Sequence, residues 1–278
     1  MTAVWLDASG TRLNLNGGYL RLQTLQGAGI GDLVQRVVRT PTRDGETYIE
    51  SLLEPRFLLL ELAVIELCSY QDLEDLQRRL SAAFNPKNGL GILRWTPADI
   101  TYEIPAVLER GLDFRTPSRD HRLTRILLNL RCPDPAWRLP TANTQTITIP
   151  AGAGLSVPIT VPISFGASAA SATINNAGDL DSPPTITVVG PVTNPRITNN
   201  TTGKLVQFNL ALIAGQTLVI DMDARTAVIN PGGNNAMPDR SPDSESWPLV
   251  PGDNSITCLA SADGSDFDFS WFTRYVGV

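Results

Sequence analysis

Histidine, lysine and cysteine are scarce in this chain, and each shortage removes a class of chemistry. His121 is the one histidine among 278 residues. A catalytic zinc site takes several protein ligands, which a single imidazole does not supply. His121 lies in Ser118-Arg-Asp-His-Arg-Leu-Thr-Arg125, and no GxSxG turn exists to present a serine nucleophile. It reads as a surface residue leading into a strand. Cys68, Cys132 and Cys258 are an odd number without CxxC spacing, which argues for free buried thiols and for folding in a reducing cytoplasm. Only Lys87 and Lys204 among the 22 basic residues are lysines, a bias that a GC-rich genome produces without any functional cause. Long apolar runs are missing as well. The longest apolar-rich stretch, Phe57 to Leu67, is broken by Glu61 and Glu66 and is far short of the roughly 20 residues that span a bilayer. The first residues lack the basic segment and apolar run of a secretory signal.

The search for chemistry ends empty on the acidic residues too. Asp221 and Asp223, or Asp263 and Asp266, do not follow the alternating oxygen ligands and terminal Glu of an EF-hand loop. They suit acidic turns instead. Gly89-Leu-Gly91 is too short for a dinucleotide or phosphate loop. A carboxylate pair for glycoside hydrolysis is defined in space, and no pair is nominated by the residues. The expectation is a protein with no catalytic residue, no metal and no cofactor.

What the chain does have is turn residues and β-branched runs. It contains 22 Gly and 21 Pro, with 42% hydrophobic residues, enough for packed cores and rich in the punctuation of short strands. Its length suits two domains. Charge divides it in the same way. Residues 1–140 hold 17 basic and 17 acidic residues, whereas residues 141–278 hold 5 and 11. The second half is therefore a poor match for nucleic-acid phosphates, which call for clustered Lys and Arg. Cys132-Pro-Asp-Pro135 and Leu139-Pro140 form a stiff connector, giving domains over 1–139 and 140–278.

The first domain mixes strands with one helix. Tyr19 to Leu25 and Arg122 to Leu130 alternate in part, and Arg56 to Leu67 reads as a long strand apolar on both faces near its centre and so sandwiched. A helix is expected over about 70–84. Ser69 and Asp72 resemble a capping box, Leu73, Leu76, Leu80, Ala83 and Phe84 share one face, and Asn85-Pro86 stops it. That apolar stripe is core. The polar segment Arg39 to Tyr48, with its Asp44-Gly45 turn, reads either as an ordinary hairpin loop or as an arm reaching a neighbouring subunit. The second domain shows period-two runs at Thr144–Ile149, Thr185–Val189, Lys204–Asn209, Thr217–Asp221, Thr226–Ile229 and Phe267–Trp271. Their spacing is that of a β-sandwich. Trp271 and Phe269 read as core. Trp247, in a stretch rich in proline and serine, is the aromatic expected to contact something outside, a glycan included.

An ordered series of motifs runs through the second domain: Asn176-Ala-Gly-Asp179, Pro183-Pro-Thr-Ile186, Gly190-Pro-Val-Thr-Asn-Pro195-Arg-Ile197 and Asn199-Asn-Thr-Thr-Gly203. Gly215 to Asp221, Trp247-Pro-Leu-Val-Pro-Gly-Asp-Asn254 and Phe269 to Val278 follow. The series resembles the C-terminal β-sandwich, galectin-like or carbohydrate-module-like, of siphophage distal tail proteins. The helix over Leu73–Pro86 and the exit Asp134-Pro-Ala-Trp137 resemble the ring-forming domain of the same family. The resemblance implies a mainly β chain, with a tail-tube-like barrel or sandwich carrying one flanking helix and then the sandwich. It implies a homohexameric ring at the virion tail tip, assembled in the host cytoplasm, with no membrane insertion of its own. The implied partners are the chain itself, the tail tube protein and the tail-tip hub or tail-associated protein. Tape-measure and receptor-binding proteins are further candidates, and DNA would touch the ring only in transit through the channel. The arm would span about 39–55 and use Arg39, Arg43, Asp44 and Tyr48 to clasp the next subunit. A sugar-binding module acting through Trp247 is the alternative. A cell-wall hydrolase rests only on unassigned carboxylates.

Overall fold

The structure is a computed structural model that describes residues 1–42, 44–65, 70–114, 124–149, 168–260 and 265–278. Two compact units divide it, Met1–Pro140 together with Tyr275–Val278, and Thr141–Arg274. The chain thus leaves the first unit after Pro140 and returns to it for its last four residues.

The first unit is built on the strand Arg56–Val64. Thr124–Cys132 pairs antiparallel along its whole length, so Leu58, Leu60 and Leu62 stand opposite Leu130, Leu128 and Ile126. All six are buried, the result of period-two alternation against one core. On its other side runs Leu20–Gln26, with a register shift between Leu22 and Thr24. The full strand path is Arg12–Asn14, Thr2–Leu6, Gly91–Thr96, Tyr102–Leu108, Thr124–Cys132, Arg56–Val64 and Leu20–Gln26. Among the described residues its two end strands are not paired with each other, so the path is an open sheet and no barrel is closed. One cluster joins Trp5, Leu93 and Ile104 from one end with Leu60 and Leu128 from the other. The sheet therefore folds over a single core, as a sandwich does.

Arg56–Val64 is not apolar on two buried faces, as its composition suggested. Phe57 is 51% exposed, and Glu61 accepts from Arg125 at 2.9 Å on that same outer face. The strand also ends at Val64, with Glu66–Ser69 outside the described residues.

The helix spans Tyr70–Ala83. Leu73, Leu76 and Leu80 are buried, and Phe84 just beyond it stacks on Trp5 with ring centroids 4.6 Å apart. Trp5 Nε1 also donates to the Ala83 carbonyl at 2.8 Å, satisfying one of the carbonyls that a helix end leaves without an internal partner. Each of those leucines contributes about 1.5–3 kcal/mol by burial. Gly91 is required where Trp5 crosses, because a Cβ there would lie 2.2 Å from the indole ring. Ser69, the expected capping residue, lies outside the described residues.

The second unit is two main antiparallel sheets over one core, with a small two-stranded pair, Val192–Thr193 with Ala211–Leu212, beside them. Six strands run in the order Asn143–Thr148, Asp266–Trp271, Thr185–Val189, Thr217–Asp221, Thr226–Asn230, Asn234–Asn235, and four in the order Ser168–Asn176, Gly252–Ala260, Arg196–Asn199, Lys204–Gln207. Ile186, Val188, Leu218, Phe267 and Phe269 from the first sheet meet Ile174, Ile197, Val206, Ile256 and Cys258 from the second. Inward apolar residues alternate with outward Thr, Ser and Asp, as facing sheets demand.

Candidate functional site

The strands Leu33–Val38 and Thr47–Leu53 form a hairpin that, among the described residues, pairs with no other strand. Its ladder is irregular between Arg36 and Val37. Arg36 pairs with Glu50, and Arg39 with Glu46 at 3.1 Å, both in solvent. Exposed ion pairs of this kind contribute little, about 0–1 kcal/mol. A lone two-stranded hairpin is at best marginally stable in water. This one nevertheless leaves Tyr48 59%, Ile49 56% and Val38 50% exposed, with Leu33, Val34 and Leu52 uncovered beside them. Val34 stands opposite Leu52 and Leu33 opposite Leu53. Neighbouring positions on a strand point to opposite faces, so both faces of the hairpin carry apolar pairs. Contiguous exposed apolar residues of this kind are the composition from which interaction surfaces are built.

Arg39, Asp44 and Tyr48, named from the sequence, all lie on this hairpin and are exposed; Arg43 lies outside the described residues. Tyr48 Oη donates to Ser51 Oγ at 3.0 Å. The arm expected over about 39–55 takes in the strand Thr47–Leu53 but leaves out its partner, Leu33–Val38. Leu33–Val38 begins six positions before Arg39, and its Val34, Val37 and Val38 break the alternation that would have marked a strand.

Trp247 is a correction. It is 1% exposed and belongs to the sandwich core, so it presents no face to an external ligand. The proline- and serine-rich stretch around it is a strap along the edge strand Lys204–Gln207. Ser241 N donates to Gln207 O at 2.9 Å, Glu245 N to Leu205 O at 2.8 Å, and Gln207 N to Ser244 Oγ at 2.9 Å. Such a strap occupies the edge groups that would otherwise template another chain, and Trp247 anchors it.

The ordered motif residues are also structural. Asn254 Nδ2 donates to Val250 O at 2.8 Å and Gly252 O at 3.0 Å, while its Oδ1 accepts from Val250 N at 3.0 Å and Asn199 Nδ2 at 3.2 Å. Asn199 Oδ1 accepts from Thr201 N at 3.0 Å. Asn176 Nδ2 donates to Leu180 O and Leu249 O, both at 3.0 Å, and its Oδ1 accepts from Gly178 N. All three asparagines are buried. They peg turns from within, which explains why Asn and Gly recur together in these motifs.

Asp221 Oδ1 accepts from Asp223 N and Ala224 N, both at 2.9 Å, so that acidic pair is a turn. No group of three His, Cys, Asp or Glu suited to a metal occurs among the described residues. Burial pushes the Cys132 and Cys258 thiols up to about 12, which keeps both as inert thiols at neutral pH. A cleft of about 580 Å³ beside Phe57 carries Glu109, Arg110 and Asn129, with one carboxylate and no second acid to work with it. His121, Cys68 and Asp263 lie outside the described residues.

The fold and the motifs together define a class: a two-unit, mainly β protein with a motif-bearing sandwich as its second unit. Residues 177–275 match the family described as siphovirus-type tail component, C-terminal domain. Over the whole chain, the fold is similar to the crystal structure of the Dit (gp 19.1) protein of phage SPP1, described as a paradigm of the hub adsorption apparatus in phages infecting Gram-positive hosts. The TM-score is 0.72 at 14% identity, covering 98% of this chain and 99% of that one. The phage P2 baseplate in its activated conformation, with Ca or with Sr, gives a TM-score of 0.53 at 9% identity, covering 97% of both chains in each case. A search of curated proteins found no match. The family match thus covers the C-terminal part, and the fold of the whole chain is shared with these siphophage tail proteins.

Proposed function

We propose that this chain is a structural, non-enzymatic subunit that closes into a homohexameric ring. The ring joins the tail tube to the tail-tip hub and surrounds the DNA channel. The observation that carries this reading is the hairpin Leu33–Leu53, which leaves apolar residues uncovered on both faces. A projecting arm that docks on the next copy makes a heterologous contact, and such contacts close into rings. Arg39, Asp44 and Tyr48 sit where the arm would reach its neighbour, and Val34, Val38, Ile49 and Leu52 supply its apolar area; Arg43, expected with them from the sequence, lies outside the described residues. The tail tube protein, the hub or tail-associated protein, the tape-measure protein and receptor-binding proteins are the partners such a ring would meet at the virion tail tip. The sequence boundary near residue 140 would then separate the ring-forming part from the sandwich. Assembly in the host cytoplasm fits thiols that stay reduced.

Native mass spectrometry tests the reading. The intact chain is expected to give a six-subunit species, and Val34→Asp with Leu52→Asp is expected to give a folded monomer with an unchanged far-ultraviolet circular dichroism spectrum. A double variant that still forms the ring would remove the hairpin from the interface. Glycan recognition by the sandwich has lost Trp247 as its platform, and no other observation favours it.

A further inference from the structure

Arg56 is the deepest charge in the first unit, and how it is satisfied has a consequence for the hairpin. Its side chain is 1% exposed and, among the described residues, donates only to main-chain carbonyls. Nε reaches Pro135 O at 2.8 Å, Nη1 reaches Gly27 O at 2.7 Å and also Gly29 O, and Nη2 reaches Val276 O at 2.6 Å. Burial pulls the guanidinium below its ordinary range; a buried cation without a carboxylate persists only when its donors are well used. The segment Tyr275–Val278 supplies more than that one acceptor. Val278 N donates to Ala28 O at 3.1 Å. Tyr275 meets Tyr102 edge-on at 5.7 Å. Gly277 lies so close to Gly29 that a Cβ would come within 2.8 Å of its main chain.

These contacts converge on both roots of the hairpin. Gly27–Gly31 leads into Leu33, Arg56 follows the last strand by two residues, and Glu54 N closes the base on Asp32 O at 2.9 Å. We propose that Tyr275–Val278 is the closing piece of the first unit: its docking completes the Arg56 cluster and fixes the hairpin root. The root therefore reaches its native state only once the chain has passed through the second unit and returned. A chain that has not yet folded Tyr275–Val278 into place then carries a loose hairpin, and one that has carries a set hairpin. The claim concerns the hairpin's root and stands whether or not the hairpin is an arm between subunits.

Hydrogen exchange on the full chain is the test. In Gly277→Val, amides of Gly27–Asp32 and Glu54–Leu58 are expected to exchange about 10-fold faster or more, since tenfold corresponds to only about 1.4 kcal/mol of local opening. Thr185–Val189 and Gly252–Ala260 are expected to keep their rates. Gly111→Val, at a position where a Cβ meets nothing within 4 Å, serves as the control. Arg56→Lys keeps the charge but loses the fork of donors, and is expected to shift the same amides in the same direction by less. A chain ending at Arg274 is expected to lose protection at the hairpin root while the sandwich retains it. Wild-type protection at the root in that chain and in Gly277→Val would overturn the proposal.

Discussion

Asn254 uses both ends of its amide and leaves nothing over, and that accounts for a polar residue at the centre of the sandwich. Its carboxamide replaces the partners that Val250, Gly252 and Asn199 would otherwise lack. Asn254→Leu is expected to cost about 2–4 kcal/mol, because it strands several buried groups at once, and urea unfolding of the second unit checks it. Trp247→Ala is expected to cost about 3–5 kcal/mol through the cavity it leaves, read in the same way, with no change in any glycan interaction. The thiols give a pH dependence. Cys132 and Cys258 hold their protons to about 12 in the folded chain, against 9.0 for an ordinary thiol. The unfolded chain therefore ionises first, and their contribution to stability is complete below pH 9 and falls as pH rises towards 12. Urea midpoints across that range are expected to decline. At pH 8 both thiols should resist alkylation until denaturant is added.

Among the elements, legibility in the sequence followed burial of one face. Thr185–Val189, Thr217–Asp221 and Asp266–Trp271 alternate because each sends β-branched or aromatic residues to one core and Thr or Asp outward, and their register could be anticipated. Ser168–Asn176 sends Ala170, Ala172 and Ile174 toward the core between Ser and Thr; residues so small carry little hydrophobic signal. Gly252–Ala260 was masked by Asn254 on its inward face. Trp247 was misjudged because its segment has no periodicity, and its burial depends on an edge strand some forty residues earlier. The hairpin shows the opposite limit. Its turn was visible at Asp44-Gly45, but Leu33–Val38 is solvent-exposed on both faces and has no alternation to read. Because the hairpin packs little against its own unit, Val34→Asp with Leu52→Asp should change the stability of the single chain, compared at a dilution where both proteins are monomeric, by no more than about 0.5 kcal/mol. A large loss in thermal unfolding would mean that the hairpin belongs to its own unit's core.

For the whole molecule, each unit has its own core and its own task in the account. The first holds the helix, the open folded sheet and the apolar hairpin; the second is a sandwich pegged by asparagines and sealed by the Trp247 strap. Motif order pointed to the family, and residues 177–275 match its C-terminal domain. Ring closure depends on the surface that a single chain leaves uncovered. The measurement that tests this most directly is native mass spectrometry of the intact chain beside the Val34→Asp, Leu52→Asp variant. The account predicts six subunits for the first and one for the second, with both chains folded. An intact chain that stays monomeric, or a variant that still assembles, would contradict it.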